Sequence, residues 1–101
     1  MTEIWVLIEE CAEEDTQVYV DLTKEALLKL YNEKKEGDLD YVNERSGGDY
    51  KTNSYGLNDG DWYVSDEETD DYYSHCSFVH GNYHSTFYSV ILRKDTFYSK
   101  T

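Results

Sequence analysis

The sequence is poor in basic residues and in long apolar runs. It has nine lysines and arginines against 22 aspartates and glutamates, which gives a formal net charge of −13. Nucleic-acid binding rests mainly on basic side chains that neutralise phosphates, so we expect no direct binding to nucleic acid or to anionic membranes. The charge favours basic partners instead. The apolar run at residues 4–8 is far shorter than the roughly 18 residues of a membrane span.

Proline is absent, and cysteine is scarce. The two cysteines are Cys11 and Cys76. The opening segment MTEIWVLIEE has an acid at position 3 and lacks the longer apolar core of a signal peptide. These features predict a cytoplasmic protein in which both thiols are reduced.

No sequence motif of a known enzyme class is present. The chain contains no phosphate-binding loop and none of the patterns G-x-G-x-x-G, G-x-S-x-G or H-E-x-x-H. Acids flank Cys11, and such surroundings disfavour a reactive thiolate. We therefore predict a protein that is not an enzyme and that carries no cofactor.

Aromatic residues are abundant, and they predict a folded chain. They make up 16% of the sequence and include eleven tyrosines, whereas disordered acidic segments are poor in aromatics. A chain of 101 residues normally forms one domain. We expect a single α+β domain over residues 1–101, with an antiparallel sheet of four to six strands and one main helix packed on it.

The first third of the chain predicts two strands and the helix. Residues 4–8 (IWVLI) predict a central strand buried on both faces, and residues 17–22 alternate as an antiparallel second strand would. The helix is predicted over residues 23–36. Thr23 is a suitable N-cap, and Gly37 suits the left-handed residue that follows a helix.

The remainder of the chain predicts further strands. Residues 38–60 are rich in turn signals and contain enough apolar side chains, including Tyr41 and Val42, for one or two short strands. Residues 61–65 predict another strand. Residues 77–80 and 83–92 predict two strands joined by a turn at residues 81–82.

Two candidate metal sites are weak. Residues 58–61 (NDGD) look like part of a calcium loop, but counting back from Gly60 places Leu57 where a ligand oxygen is required. A histidine and cysteine cluster includes the ligand types that zinc prefers. Its segment favours a hairpin and not a helix, so we interpret the histidines as ordinary strand residues and predict no metal site. The cluster comprises His75, Cys76, His80 and His84.

Two acidic runs, at residues 9–15 and 66–71, are the main candidates for a functional surface. Each run alone is typical of a solvated loop. Two runs close to each other, with tyrosines beside them, favour a protein interface in which aromatic side chains anchor and charges steer. The predicted partner-binding residues are Asp66, Glu67, Glu68, Asp70, Asp71, Tyr72, Tyr73, Glu9, Glu10, Glu13, Glu14 and Asp15.

The opening layout, EIWVLIEE followed by VYVDLTKEALLKLYNEKK, and the acidic, tyrosine-rich composition resemble small proteins encoded by bacteriophages. The layout is similar to a strand–strand–helix start common in uncharacterised phage and Firmicute proteins. Some acidic phage proteins inhibit host nucleases or CRISPR effectors by occupying nucleic-acid-binding surfaces, and some are called DNA mimics. The resemblance implies an anti-defence inhibitor, acting in the host cytoplasm, whose partner is a basic nucleic-acid-binding protein of the nuclease or CRISPR effector type.

Two other functions remain open from the sequence. The first is binding or sequestration of a small ligand such as a nucleotide signal, with Trp62 or Tyr63 for stacking and cations for the phosphates. Those cations are Lys34, Lys35 and Arg93. The second is a small zinc-binding protein that uses the histidine and cysteine cluster. A tyrosine-rich sheet edge also allows a homodimer.

Overall fold

The computed structural model describes residues 2–12, 14–81 and 88–97. These residues contain one helix and six strands. The elements follow in the order β1 (Thr2–Cys11), β2 (Glu14–Asp21), α1 (Lys24–Ser46), β3 (Tyr50–Lys51), β4 (Trp62–Glu68), β5 (Tyr72–Val79) and β6 (Tyr88–Phe97). The prediction of an α+β domain with one main helix is confirmed.

The strands form one sheet in the order β2-β1-β6-β5-β4-β3. Each neighbouring pair is antiparallel except β3 with β4, which is parallel, so the sheet is mixed and not purely antiparallel. The parallel pair covers only two positions, Tyr50 with Trp62 and Lys51 with Tyr63. It arises because the loop after β3 carries the chain back to the same end of the sheet before β4 begins.

Helix α1 continues well past the predicted end at residue 36. It ends at Ser46, and Gly47 follows in the left-handed conformation with φ of 68°. The prediction ended the helix at residue 36 because Gly37 suits the left-handed residue that follows a helix. The helix instead continues through Asp38, which is buried, and Val42 continues the buried stripe one turn later.

The start of α1 agrees with the prediction in position, but the predicted N-cap residue does not cap the helix through its side chain. Thr23 is the N-cap, yet its side chain makes no capping hydrogen bond. Asp21 Oδ1 instead accepts hydrogen bonds from the Thr23 backbone N–H at 2.8 Å and from its hydroxyl at 3.0 Å. The carboxylate that ends β2 therefore organises the turn into the helix.

The hydrophobic core lies between α1 and one face of the sheet. Leu27 and Tyr31 of the helix pack on β1 and β6, and their buried partners in the sheet are Trp5, Leu7, Val90 and Leu92. Within the described residues, no helix has both the length and the apolar character that crossing a bilayer requires.

The second face of the sheet is not covered by any described element. The prediction that β1 is buried on both faces is therefore wrong, since Val6 and Ile8 on the second face are only half-buried. Opposite them, Val18 and Val20 of β2 are each 59% exposed. We call this side of the sheet the uncovered face.

Two further strand predictions need correction. Residues 38–46, which include Tyr41 and Val42, belong to the helix, and β3 is the short strand found in the following segment. Strand β5 begins at Tyr72, earlier than expected, and ends before Gly81. The predicted turn residue Asn82 and residues 83–87 lie outside the described residues.

Substitution of two helix glycines by alanine should change stability in opposite directions. Gly47 has φ of 68°, a conformation that costs an L residue about 1 kcal/mol, so Gly47→Ala should lower Tm by roughly 4–8 °C. Gly37 lies inside the helix, where a Cβ meets no atom within 4 Å. Alanine is favoured there by about 1 kcal/mol, so Gly37→Ala should raise Tm.

Thermal unfolding followed by circular dichroism measures both shifts. A fall in Tm for Gly37→Ala would contradict a continuous helix through residue 37.

Candidate functional site

The two acidic runs begin in one row of the sheet and lead towards its opposite ends, because Glu9 pairs with Val90, Val90 with His75 and His75 with Asp66. Cys11, beside the first run, pairs with Tyr88 at the start of β6. Tyr72, beside the second run, pairs with Arg93 near the other end of β6. This offset is five residues along one strand, or roughly 16 Å, whereas Glu9 and Asp66 lie level with each other and are three strand spacings, or roughly 14 Å, apart. The expectation that they lie close together is wrong, and they do not form one acidic patch.

In the first run, the acids divide between the interior and the surface. Glu9 is half-buried, and its carboxylate accepts hydrogen bonds from Lys34 Nζ at 2.9 Å and from the Tyr88 hydroxyl at 2.6 Å. Burial raises the pKa of Glu9, but the bonds from Tyr88 and Lys34 and the charge of Lys34 outweigh it, so the pKa is lowered. Glu10, Glu14 and Asp15 are exposed, and Glu13 lies outside the described residues.

In the second run, most acids have ionic partners on the protein itself. Lys35 Nζ lies 3.5 Å from Asp66 and 3.4 Å from Glu68, and Lys94 Nζ lies 3.4 Å from Asp71. The remaining two acids, Glu67 and Asp70, are exposed and form no ion pair with a described side chain.

The two tyrosines after the second run lie on opposite faces of the sheet, because they are consecutive residues of β5. Tyr73 is on the helix side. Its ring lies 5.6 Å from that of Tyr31 and 5.0 Å from Lys24 Nζ. Tyr72 is on the uncovered face and pairs across the strands with Arg93. They therefore cannot anchor the same partner surface.

A buried cluster of polar side chains links α1 to β4 and β5. The His75 side chain is fully buried, and its two ring nitrogens each contact a carboxylate. Nε2 lies 2.6 Å from Asp38 of the helix, and Nδ1 lies 2.7 Å from Asp66 of the neighbouring strand. The Ser77 hydroxyl donates to the second oxygen of Asp38 at 3.1 Å. We call these four residues the buried histidine cluster.

The buried histidine cluster favours a charged imidazole. Burial of His75 opposes protonation, but its hydrogen bonds and charge interactions with Asp38 and Asp66 outweigh burial and raise the pKa of His75 above its ordinary value. A protonated ring donates from both nitrogens, which matches the two carboxylates that face it. A neutral ring would leave one unprotonated nitrogen against a carboxylate.

The buried histidine cluster has the residue types of a catalytic base, but its imidazole is not accessible from solvent. Histidine positioned by a carboxylate is a common arrangement for proton transfer. Here the imidazole is completely shielded from solvent, and the Ser77 hydroxyl donates to Asp38 and not to the ring. The geometry supports a structural role in which a buried positive charge holds two carboxylates, and through them three elements, together.

The predicted zinc ligands do not converge. His75 has both nitrogens engaged, and Cys76 projects to the opposite side of β5. His80 lies just beyond the end of β5, and His84 lies outside the described residues. Within the described part of the chain, no three histidine, cysteine or acidic side chains are arranged to hold a metal ion.

The side chains proposed for nucleotide binding are also separated. Trp62 lies on the helix side next to Tyr41, whereas Tyr63 lies on the uncovered face against Phe78. Lys34 is paired with Glu9, and the cleft that it lines has a volume of about 470 Å³. That cleft also contains three carboxylates, which repel phosphate groups. They belong to Glu9, Glu14 and Asp38.

The exposed side of α1 carries an acidic surface that the strand and loop patterns did not reveal. Glu33, Glu36, Asp40 and Glu44 recur at helical spacing and are all exposed. No described residue forms an ion pair with any of them. We call these four residues the helix acid row. The spacing of 36, 40 and 44 identifies the row once the helix is known to continue beyond residue 37.

Comparison with known proteins adds no relative. The chain matches no protein-family model, and neither the curated proteins nor the solved structures contain a significant match to it.

The protein should lose stability as the pH rises through the folded-state pKa of His75. Because that pKa is raised, the folded protein holds the proton more tightly than the unfolded chain. The resulting stabilisation is complete below the unfolded value of about 6.5 and is lost as the pH passes the folded value. Urea unfolding at several pH values between about 6 and 9 measures this loss.

Two substitutions provide the controls. Asp38→Asn removes one buried carboxylate charge, so it should lower the free energy of unfolding by about 3 kcal/mol or more and flatten the pH dependence. Ser77→Ala removes one hydrogen bond to the same carboxylate and should cost about 1 kcal/mol while the pH dependence is kept. Equal pH profiles for the wild type and Asp38→Asn would contradict a charged His75.

Proposed function

We propose that the protein is a non-enzymatic interaction protein that binds a basic, nucleic-acid-handling protein through the helix acid row. The observation that supports this most strongly is the exposure of these four carboxylates without a cationic partner among the described residues. By contrast, several acids of the two acidic runs are already paired with lysines of the protein itself. Free carboxylates interact with a basic partner without first breaking an internal ion pair.

The helix acid row is straight and closely spaced. At 100° and 1.5 Å per residue, Glu33, Glu36, Asp40 and Glu44 lie within a stripe roughly 80° wide and about 16 Å long. Consecutive carboxylates are therefore separated by about 5–6 Å along the axis. A rigid helix holds this spacing, whereas a loop would have to be ordered on binding.

The mechanism follows from charge and shape. One strand of B-DNA presents a phosphate about every 3.4 Å of axis, so the row imitates the direction of such a line at lower charge density. Side chains give the α-helix that carries the row a width of about 10–12 Å. Binding would then compete with nucleic acid for the same basic groove, and opposite charge would speed the encounter at low salt.

The two acidic runs supply further free carboxylates. Glu10, Glu14 and Asp15 are the free acids of the first run, and Glu67 and Asp70 are those of the second. Because the runs lead towards opposite ends of the sheet, we assign them to long-range attraction of a basic partner and not to a single contact patch. The similarity in composition to phage inhibitors supports an anti-defence role, with a nuclease or CRISPR effector as the class of partner.

Removal of the row charges should weaken capture of basic proteins more than removal of an equal number of charges from the two acidic runs. The test variant replaces each acid of the helix acid row by its amide. The control variant loses the same number of charges from the two acidic runs and has the same net charge. Its substitutions are Glu10→Gln, Glu14→Gln, Asp15→Asn and Glu67→Gln.

Each protein is immobilised, exposed to a bacterial lysate at low salt, and eluted at high salt for mass spectrometry. We expect the wild type and control to retain nucleic-acid-binding proteins that a DNA duplex displaces, and the row variant to retain roughly tenfold less of them. Equal capture by both variants would exclude the row as the binding surface. Proteins that duplex DNA fails to displace would argue against competition with nucleic acid.

A further inference from the structure

On β2, β1 and β6 the uncovered face is apolar where a solvated sheet would be polar. An antiparallel sheet with one face in water normally places polar residues on that face. Here the register puts an uninterrupted row of Val18, Ile8 and Ile91 across three neighbouring strands, and Val20 beside Val6 in the next row. Both valines of β2 are 59% exposed. An apolar sheet face of this kind is typical of an interface.

The uncovered face also lacks the acidity of the rest of the molecule. The register places three acids, Glu10, Glu67 and Asp95, and two bases, Lys51 and Arg93, on this face, and only Glu67 lies in the central row, at its far end on β4. The chain as a whole carries a formal charge of −13. The acids are therefore concentrated on the helix and at the ends of the sheet, and a second copy can approach this face without meeting a dense set of like charges.

We propose that two copies of the protein stack their uncovered faces to form a symmetric dimer. Sheets that pack face to face lie about 10 Å apart, so the valine and isoleucine side chains of the two copies would interdigitate. Both helices would lie on the outside of the resulting four-layer arrangement. The acid-rich surfaces of the two copies would then be separated by the thickness of the two sheets.

The area of the uncovered face suits such a dimer. A sheet of six strands is roughly 24 Å wide, and its longest strands are about 33 Å long. Because the outer strands are shorter, the flat area of the face is on the order of 600 Å², without the additional surface of the projecting side chains. Stable interfaces bury roughly 600–1,000 Å² on each partner, so the face reaches the lower part of this range.

Two charged residues on the face are complementary under a two-fold axis. Glu10 pairs with Ser89, and Arg93 lies four residues farther along β6, so the two charges are about 13 Å apart within one copy. A two-fold axis that lies between the sheets and across the strands reverses strand direction. It brings Arg93 of one copy towards Glu10 of the other, and it does so twice, whereas the two copies of Glu67, which lies in the row of Ile91, face each other once.

Within a single chain, the ionic contact of Arg93 is weak. Its guanidinium is half-exposed and lies 4.0 Å from Asp95, at the limit of an ion pair. An intermolecular contact with Glu10 would therefore add an interaction without breaking a strong one. The dimer is independent of the proposed function, because the helix acid row lies on the opposite side of each copy.

Sedimentation velocity of the full chain over a wide concentration range tests the proposal. We expect the wild type to shift from monomer to dimer as concentration increases. Val20→Lys places an ammonium in the apolar interface and should raise the dimer dissociation constant by about 30-fold or more. The matched control is Asn32→Lys, which introduces the same side chain and charge on the exposed side of α1 and should leave the constant unchanged.

A charge exchange separates this geometry from simple loss of folding. Glu10→Arg and Arg93→Glu should each weaken the dimer, and the double variant should regain affinity because the pair is restored with reversed signs. A wild-type protein that remains an 11.9 kDa monomer at all concentrations would overturn the proposal, and so would a dimer that Val20→Lys leaves unchanged. A double variant weaker than either single variant would overturn the orientation proposed here.

Discussion

The ionic contact of His75 with Asp38 and Asp66 is the constraint on which the arrangement of this protein depends. It joins the middle of the helix to two neighbouring strands, at distances of 2.6 and 2.7 Å, in a place with no solvent access to the ring. Loss of one partner would leave a buried charge uncompensated. The helix is thereby held in one position along the sheet, and α1 must extend past Gly37 for Asp38 to reach the histidine.

That position of the helix divides the charges of the molecule into two groups. Asp38, Asp66 and Glu9 face the helix–sheet interface and are balanced by His75, Lys35 and Lys34. The helix acid row faces outward without such partners. A net charge of −13 therefore does not describe the whole surface. It is concentrated on the outer side of α1 and at both ends of the sheet, and the uncovered face remains almost neutral.

Much of the fold could be predicted from the sequence because it depends on local patterns. The apolar run of β1, the alternation of β2 and the start of α1 at Thr23 are each visible in a few consecutive residues. The helix end was missed because a glycine such as Gly37 commonly follows the last residue of a helix. The sequence predicted the direction of β2. It did not predict that Val18 and Val20 would face away from the core, because a strand pattern does not say which face a helix will cover.

By itself, the sequence determined the class of the protein: one folded α+β domain, strongly acidic, rich in tyrosine, and without an enzyme motif. These properties follow from composition and short-range spacing. Only the tertiary structure decided which acids are available to a partner, because burial and ion pairing join residues far apart in the chain. The run at residues 66–71 shows this most clearly. As a sequence it is a block of five carboxylates, but the fold binds one to a buried histidine and pairs others with lysines, leaving Glu67 and Asp70 free.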